Sequence, residues 1–560
     1  MWKIDFASVR SVTLHRCSSH GFLVGMKSEQ TRFDGLLDEY FELFLSEHPI
    51  AATFAGLRDG EGKLGAAHLR HEQRWENRRQ KALAALDAIS PRSLTNEQQL
   101  DRLGFRAQLL RESEEFARGR HTLDPSSVDT LFGILLHELQ RGDDESRRAA
   151  SNLRGLLRDT PRYLNEAAAL IKRPERVWLK IMEQSVAGAA ALFSAVEEFL
   201  KKNNAVKADD ALINSAKRAV ADYAKQVQAR RRAPPNSFAI GASAMQRRVR
   251  DQLGLDYTLG EVEALALGEV EHIQGLLTDA CRKFGKGAKP EKIIEEAREA
   301  WNPGDNLLAV YHSETTRVAD AFRAAKAVTF PKGESLDVRP VPEFMRHLFP
   351  TAAYSSPGAF EKRQRGVFWV NDLSLTKTTA AEKRAERQQH FGLSLTCAHE
   401  AYPGHHLQFV TANQHPRKWR RLFAHAVFYE GWTLWCEQMM VDLKIDRSPW
   451  LRVQQLHDAL WRAHRILVDL RLQTCHYSYA AAVKHMQRHL GFTRARAEAD
   501  VNWYTGSASV PMSYWLGRLE NERLSRRLID GRGWSLQQFN DWLLSFGTLP
   551  QSWIEKYGLD

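Results

Sequence analysis

The chain has 560 residues, 43% hydrophobic and 26% charged, which excludes a disordered chain and allows a large core without covalent staples. Lys and Arg outnumber Asp and Glu by 79 to 68, a net charge of +11; spread this thinly, it does not by itself mark a nucleic-acid binder. No run approaches the roughly 18 consecutive apolar residues of a membrane-spanning helix, so an integral membrane protein is excluded.

Residues 1–25 carry Lys3, Arg10 and Arg16, but Asp5 and His15 interrupt the apolar residues, so no secretory signal is read there. The segment is expected to be a disordered or mis-started extension, with Met26 as the true start. From Phe33 the pattern turns helical: Phe33, Leu36, Leu37, Tyr40, Phe41 and Phe44 share one face, and His48-Pro49 ends the run. Further helices are expected over 67–89, 97–117, 145–171, 175–202 and 207–232. Capping-box spacings occur at Thr95/Gln98, Thr258/Glu261 and Ser535/Gln538. Ser448-Pro449 reads as an N-cap followed by proline at the first helical position.

Breaks are expected at Ala233–Asn236, Phe284–Gly287 and Tyr354–Gly358. The first separates an N-terminal helical region, 26–235, from a second helical region, 236–560, the two expected to form one integrated unit. Arg230-Arg231-Arg232 before it lacks the interleaved aromatic residues that stack bases and reads as a solvated helix end. Gly366–Asn371 is short, β-branched and aromatic, the one clear strand, and is a candidate edge for pairing with an extended peptide. The five cysteines (Cys17, Cys281, Cys397, Cys436 and Cys475) form no C-x-x-C pair and read as buried small hydrophobes in a reducing, cytoplasmic compartment. The fold class is mainly α, with a small β element near 366–371.

The chemistry concentrates in Thr396–Gln408. His71-Glu72 and His137-Glu138 are isolated pairs and read as helix-surface residues, whereas His399-Glu400 is followed by His405 and His406. The helical zinc motif H-E-x-x-H puts its second histidine one turn after the first, with the glutamate as general base; here that position is Pro403. On a straight helix His405 points about 240° away from His399, and His406 lies about 10.5 Å further along. Pro403, however, clashes with the carbonyl of His399 and Gly404 frees the backbone after it, so a kink or bulge is expected to return one histidine to the metal. His405 is preferred, directly after Gly404, with His406 as the alternative ligand or a supporting residue. A third ligand is expected from Glu430, beside Gly431-Trp432 on an apolar stretch, and Glu437, seven residues on, is a candidate partner for a ligating histidine.

His399–Gln408 resembles the signature of the family called domain of unknown function 885, whose members are similar to gluzincin-type zinc metallopeptidases. The likeness continues through Glu430-Gly431-Trp432, Arg465–Leu472, and Met512-Ser513-Tyr514 with Gly517, and covers the chain from about residue 30. It departs at Gln473, where the family pattern has histidine and His476 is a possible substitute, and at Ser507–Pro511, which replaces a proline–glycine or glutamine-rich stretch. The resemblance implies a large multi-helix zincin-like fold, with 236–560 as the catalytic region. The expected function is zinc-dependent cleavage of peptide bonds in short peptides, with one zinc per chain. Glu400 is then the general base, Tyr514 the donor to the tetrahedral intermediate, and Arg465 or Arg471 the clamp for a substrate carboxylate. The competing readings are a zinc amidohydrolase of a non-peptide amide, a non-catalytic metal binder, and a nucleic-acid or acidic-partner binding protein. Neither nucleic acid nor membrane is expected as a partner, and the oligomeric state is open.

Overall fold

The computed structural model describes residues 28–203, 206–342, 346 and 351–559. The expected extension at 1–25 and the start at Met26 lie outside the described residues, as does Cys17. The fold is mainly helical with a small three-stranded sheet. The chain divides into two compact units: one comprises Phe238–Pro357 and Arg363–Asp560, the other the described residues up to Ser237 together with Gly358–Lys362. Among the described residues no helix is long and apolar enough to cross a membrane.

The N-terminal unit follows the periodicity closely. Helices run over Glu29–Glu47, Leu69–Asp87, Asn96–Ala117, Arg176–Lys202 and Asp209–Gln228. Tyr40 of the first packs against Trp75 of the second and Phe105 of the third, with ring centroids 5.9 and 5.0 Å apart, so the predicted apolar face builds the core. The helix expected from 145 begins earlier. Ser127–Leu170 is continuous except at Glu145, whose φ of −132° and ψ of 52° break it at the expected start. Two His-Glu pairs depart from the surface reading. His71 is buried and bonded to His48 at 3.3 Å, and Glu138 is buried against Asn152 at 3.0 Å.

In the other unit, β1 (Glu334–Pro340), β2 (Ala352–Ser355) and β3 (Gln364–Val370) form a sheet in the order β1-β3-β2, with β1 parallel and β2 antiparallel to β3. The predicted strand is therefore central. Its backbone is paired on both sides, so it offers no edge to a peptide, and Tyr354 and Ser355 belong to a strand rather than a break. All three predicted capping boxes form. Ser448 is not an N-cap: its N–H donates to Asp446 at 2.8 Å in a local turn, and the helix begins later, at Leu451, with Trp450 preceding it. Cys281, Cys397 and Cys436 are buried as expected, whereas Cys475 is exposed.

Candidate metal centre

Proline at the position one turn after His399 removes the N–H that would continue the helix. The Leu393–Glu400 helix accordingly ends there, Ala401 leaves it at φ −105° and ψ −96°, and a new helix runs from His405 to Ala412. The sequence suggested a kink or bulge; the structure shows a full break between two short helices. Gly404 is required by close approach, since a Cβ there would overlap the His399 carbonyl oxygen. Trp432 fixes the turn by donating its indole N–H to the Pro403 carbonyl at 2.8 Å.

Glu430 lies on the Ala426–Asp442 helix, which packs along the Val510–Ser525 helix. The two backbones meet at Gly431 and Gly517, where a Cβ on either residue would run into the other helix. This crossing brings Glu430 beside Tyr514.

The broken helix turns His399 and His405 toward each other, their ring centroids 5.0 Å apart and nearly perpendicular. Glu430 Oε2 lies 3.7 Å from His399 Nε2 and 3.5 Å from His405 Nε2. Donor atoms of His399, Glu400 and His405 all fall within 4.8 Å of one another. Both His405 nitrogens, Glu430 Oε2 and Glu400 Oε2 are buried without a hydrogen-bond partner. Buried polar atoms are almost always paired, so the unpartnered His405 Nε2 and Glu430 Oε2, 3.5 Å apart and beside His399 Nε2, make this group a candidate metal site.

The charges agree. Glu400, Glu430 and Glu437 surround two imidazoles, and the Arg462 guanidinium, 3.7 Å from Glu437, offsets one of the three carboxylates. Burial disfavours a charged His405, and its pKa is lowered although Glu430 and Glu400 oppose the shift; a neutral imidazole is the ligating form. Burial also disfavours a charged His399, but the bond to Glu437 and the carboxylates of Glu400 and Glu430 prevail and raise its pKa. For Glu430 burial pushes up, and His405, His399 and Tyr514 outweigh it, so its carboxylate stays ionised. Two imidazole nitrogens and a carboxylate with excess negative charge could hold a divalent cation.

Around this group the structure places the remaining predicted residues unequally. His399 Nδ1 lies 2.8 Å from Glu437 Oε1, so in the neutral ring Nε2 is the nitrogen whose lone pair faces the cluster. His406 points elsewhere: Nε2 bonds Glu334 Oε2 at 2.7 Å and Nδ1 bonds the Tyr354 hydroxyl at 3.0 Å. Tyr514 is buried, and burial together with the Glu430 charge pushes its phenol well above the usual value. Arg465 lies against the Tyr514 ring at 4.6 Å. Arg471 does not join the group; its guanidinium is taken by Glu263 at 2.7 Å and Tyr477 at 2.8 Å. Gln473 ties the chain internally, accepting from Ile240 N–H and donating to the Tyr504 carbonyl, and His476 is exposed.

Sequence reasoning missed Glu334, Tyr354, Tyr402 and Arg462. Tyr402 donates to Glu334 Oε2 at 2.6 Å, completing a tie between the motif and β1. Arg462 was within reach of a sequence argument, three residues before Arg465 on one helix face.

A family model described as "Bacterial protein of unknown function (DUF885)" matches residues 49–557. The chain belongs to that family. Among solved structures, it is similar to "a putative lipoprotein of unknown function" from Shewanella oneidensis, at 18% identity and a TM-score of 0.74, over 95% of this chain and 100% of the other. It is also similar to "the putative lipoprotein from Colwellia psychrerythraea", at 17% identity and a TM-score of 0.69, over 95% of this chain and 98% of that one. These likenesses establish a shared fold over nearly the whole chain. No curated protein matches the sequence.

Proposed function

We propose that this DUF885 chain is a zinc-dependent hydrolase that cleaves peptide bonds of short peptides, on a zincin-like fold. One zinc is held by His399, His405 and Glu430. The observation that carries the reading is the gathering of the buried, unpartnered His405 Nε2 and Glu430 Oε2 beside His399 Nε2, with a Glu400 carboxylate oxygen within 4.8 Å of both imidazoles. When bound, zinc supplies the Lewis acidity that makes water nucleophilic at neutral pH.

The chain's own residues do the rest. Glu400, beside the two histidines but not needed to complete a three-ligand set, takes the proton of the attacking water and passes it to the leaving amine. Glu437 fixes the His399 tautomer. The Tyr514 phenol, held protonated by burial and by Glu430, donates to the carbonyl oxygen as negative charge builds there. A cytoplasmic location belongs to the same proposal, supported by the four cysteines among the described residues, none of which is in a disulfide. The lipoprotein descriptions of the two similar structures favour the cell envelope instead, and cell fractionation decides between them.

The test is zinc content and peptide turnover for the wild type, His399→Ala and Glu400→Gln. About one zinc per chain is expected, lost in His399→Ala and kept in Glu400→Gln, with turnover of Glu400→Gln down by about 10²–10⁴-fold. A wild type that takes up no zinc at neutral pH, or a Glu400→Gln variant as active as the wild type, overturns the reading.

A further inference from the structure

Arg465 is a buried guanidinium without a counter-ion. It is 6% exposed, yet among the described residues no carboxylate oxygen lies within 4.0 Å of it. Arg518 and Arg79, comparably buried, sit on Glu522 at 3.1 Å and Glu76 at 2.9 Å. The carboxylate nearest in influence, Asp500, is occupied by the Trp461 indole at 2.9 Å and the Tyr504 hydroxyl at 3.0 Å. A lone buried charge is costly unless something completes it.

The surroundings say what completes it. Arg465 Nε donates to the Tyr504 hydroxyl at 3.0 Å. The rings of Trp461, Tyr514, Trp503 and Tyr504 lie 4.1, 4.6, 5.4 and 5.8 Å from its central carbon. Aromatic rings hold a guanidinium plane but offer no acceptor to its edge. The two terminal nitrogens, four N–H donors in a fork, have no partner among the described residues, and the side chain keeps only a small part of its surface exposed. Arg462 and Arg496 also lie on the Trp461 ring, at 4.4 and 5.1 Å, but Arg462 has Glu437 and Asp458 at 3.7 Å, and the charges of Asp458 and Asp500 act on Arg496. A planar, bidentate anion fits this fork, and a carboxylate is its natural match.

Position gives the carboxylate its meaning. The Tyr514 ring touches Arg465 on one side, and its phenol feels Glu430 on the other. Arg465 therefore stands one tyrosine side chain from the proposed zinc ligand.

We propose that Arg465 receives the free C-terminal carboxylate of the substrate, so that the substrate class is peptides with an unblocked C-terminus, cleaved near that end. This rests on the reading of the His399–His405–Glu430 group as a hydrolytic centre. One water is consumed per peptide bond: its oxygen joins the acyl carbon as a new carboxyl group, and the leaving nitrogen takes a proton to become a free amine. The released fragment keeps the carboxylate that Arg465 held. Arg465 is a specificity residue, and its replacement acts through recognition of that group.

The experiment uses the zinc-loaded full chain and a set of tri- to hexapeptides, each prepared as the free acid and as the C-terminal amide, with products read by mass spectrometry. Free acids are expected to exceed their amides in kcat/KM by about 100-fold, the scale of a lost buried charge pair, with products released from the C-terminal end. Arg465→Met is expected to collapse that ratio, mainly through KM, while keeping about one zinc per chain; Arg465→Lys recovers part of it. Binding of the same pairs to the Glu400→Gln variant, by calorimetry, gives a readout independent of turnover, and the free acid is expected to bind more tightly there too. Equal cleavage and equal binding of acids and amides, or an acid preference that survives Arg465→Met, overturns the proposal and leaves the hydrolase reading standing. Acid-selective binding lost in Arg465→Met, with no cleavage of any peptide, sinks the hydrolase reading and with it the substrate assignment.

Discussion

Glu437 Oε1 accepts a hydrogen bond from His399 Nδ1 at 2.8 Å, and the two residues are 38 positions apart on different helices. The bond does for His399 what no neighbour in sequence does: it fixes which nitrogen carries the proton, and so which one can bind a metal. Glu437→Ala is expected to weaken zinc binding by about 10–100-fold while leaving the fold intact. Competition against a chelator of known affinity measures this; zinc affinity equal to the wild type's would show that the tautomer is set by something else.

The two adjacent histidines divide their work. His405 has both nitrogens free and buried, whereas His406 has both engaged, by Glu334 and Tyr354. His405→Ala is expected to abolish stoichiometric zinc. His406→Ala is expected to retain about one zinc per chain, but at a stability cost of about 1–3 kcal/mol, because the buried Tyr354 hydroxyl loses its partner and Glu334 keeps only Tyr402. Elemental analysis together with thermal melting separates the two roles. Loss of zinc in both variants, with melting unchanged in the second, would place His406 among the ligands.

How much of this was legible depends on range. The boxes at Thr95/Gln98, Thr258/Glu261 and Ser535/Gln538 form as read because each needs contacts only three residues apart. The Ser-Pro start signal failed at Ser448, which lies in a local turn closed onto Asp446 while the helix opens three residues later, at Leu451. Within the site, an interruption near Pro403 was readable from proline's own geometry, but as a kink or bulge rather than the full break between two helices. The partners of His406 were not, because Glu334 and Tyr354 stand 72 and 52 residues away and reach it only once the sheet has formed. Burial reverses expectations in the same way. Glu138 looks like a helix-surface acid in sequence and is sealed in the fold.

The site also depends on two glycines that carry no chemistry. Gly431 and Gly517 let the Glu430 and Tyr514 helices touch backbone to backbone, and a methyl group on Gly517 would strike the Val427 carbonyl. Gly517→Ala is expected to push the helices apart and destabilise the protein by about 1–3 kcal/mol, the range for overpacking. Because the shift separates Tyr514 from Glu430, turnover is expected to fall more than zinc content. Denaturant melts and zinc analysis on the same preparation test this; unaltered stability would mean the helices can part at no cost.

Glu138 gives a pH test that involves only the N-terminal unit. Burial pushes its carboxyl up to about 7, with the bond from Asn152 and the charge of Arg141 working against that rise. A carboxyl whose pKa is higher folded than unfolded binds more protons in the native state. Its contribution is therefore fully present below the unfolded value near 4.5 and is lost as pH rises through about 7. The loss amounts to at most about 3 kcal/mol between those limits. Glu138→Gln has no proton to lose, so its stability is expected to fall less than the wild type's between pH 5 and pH 8. Urea unfolding of both proteins at the two pH values measures the difference in slope. Parallel behaviour of the two would show that Glu138 is already ionised in the folded protein at pH 5, in conflict with its burial and its unpartnered Oε1.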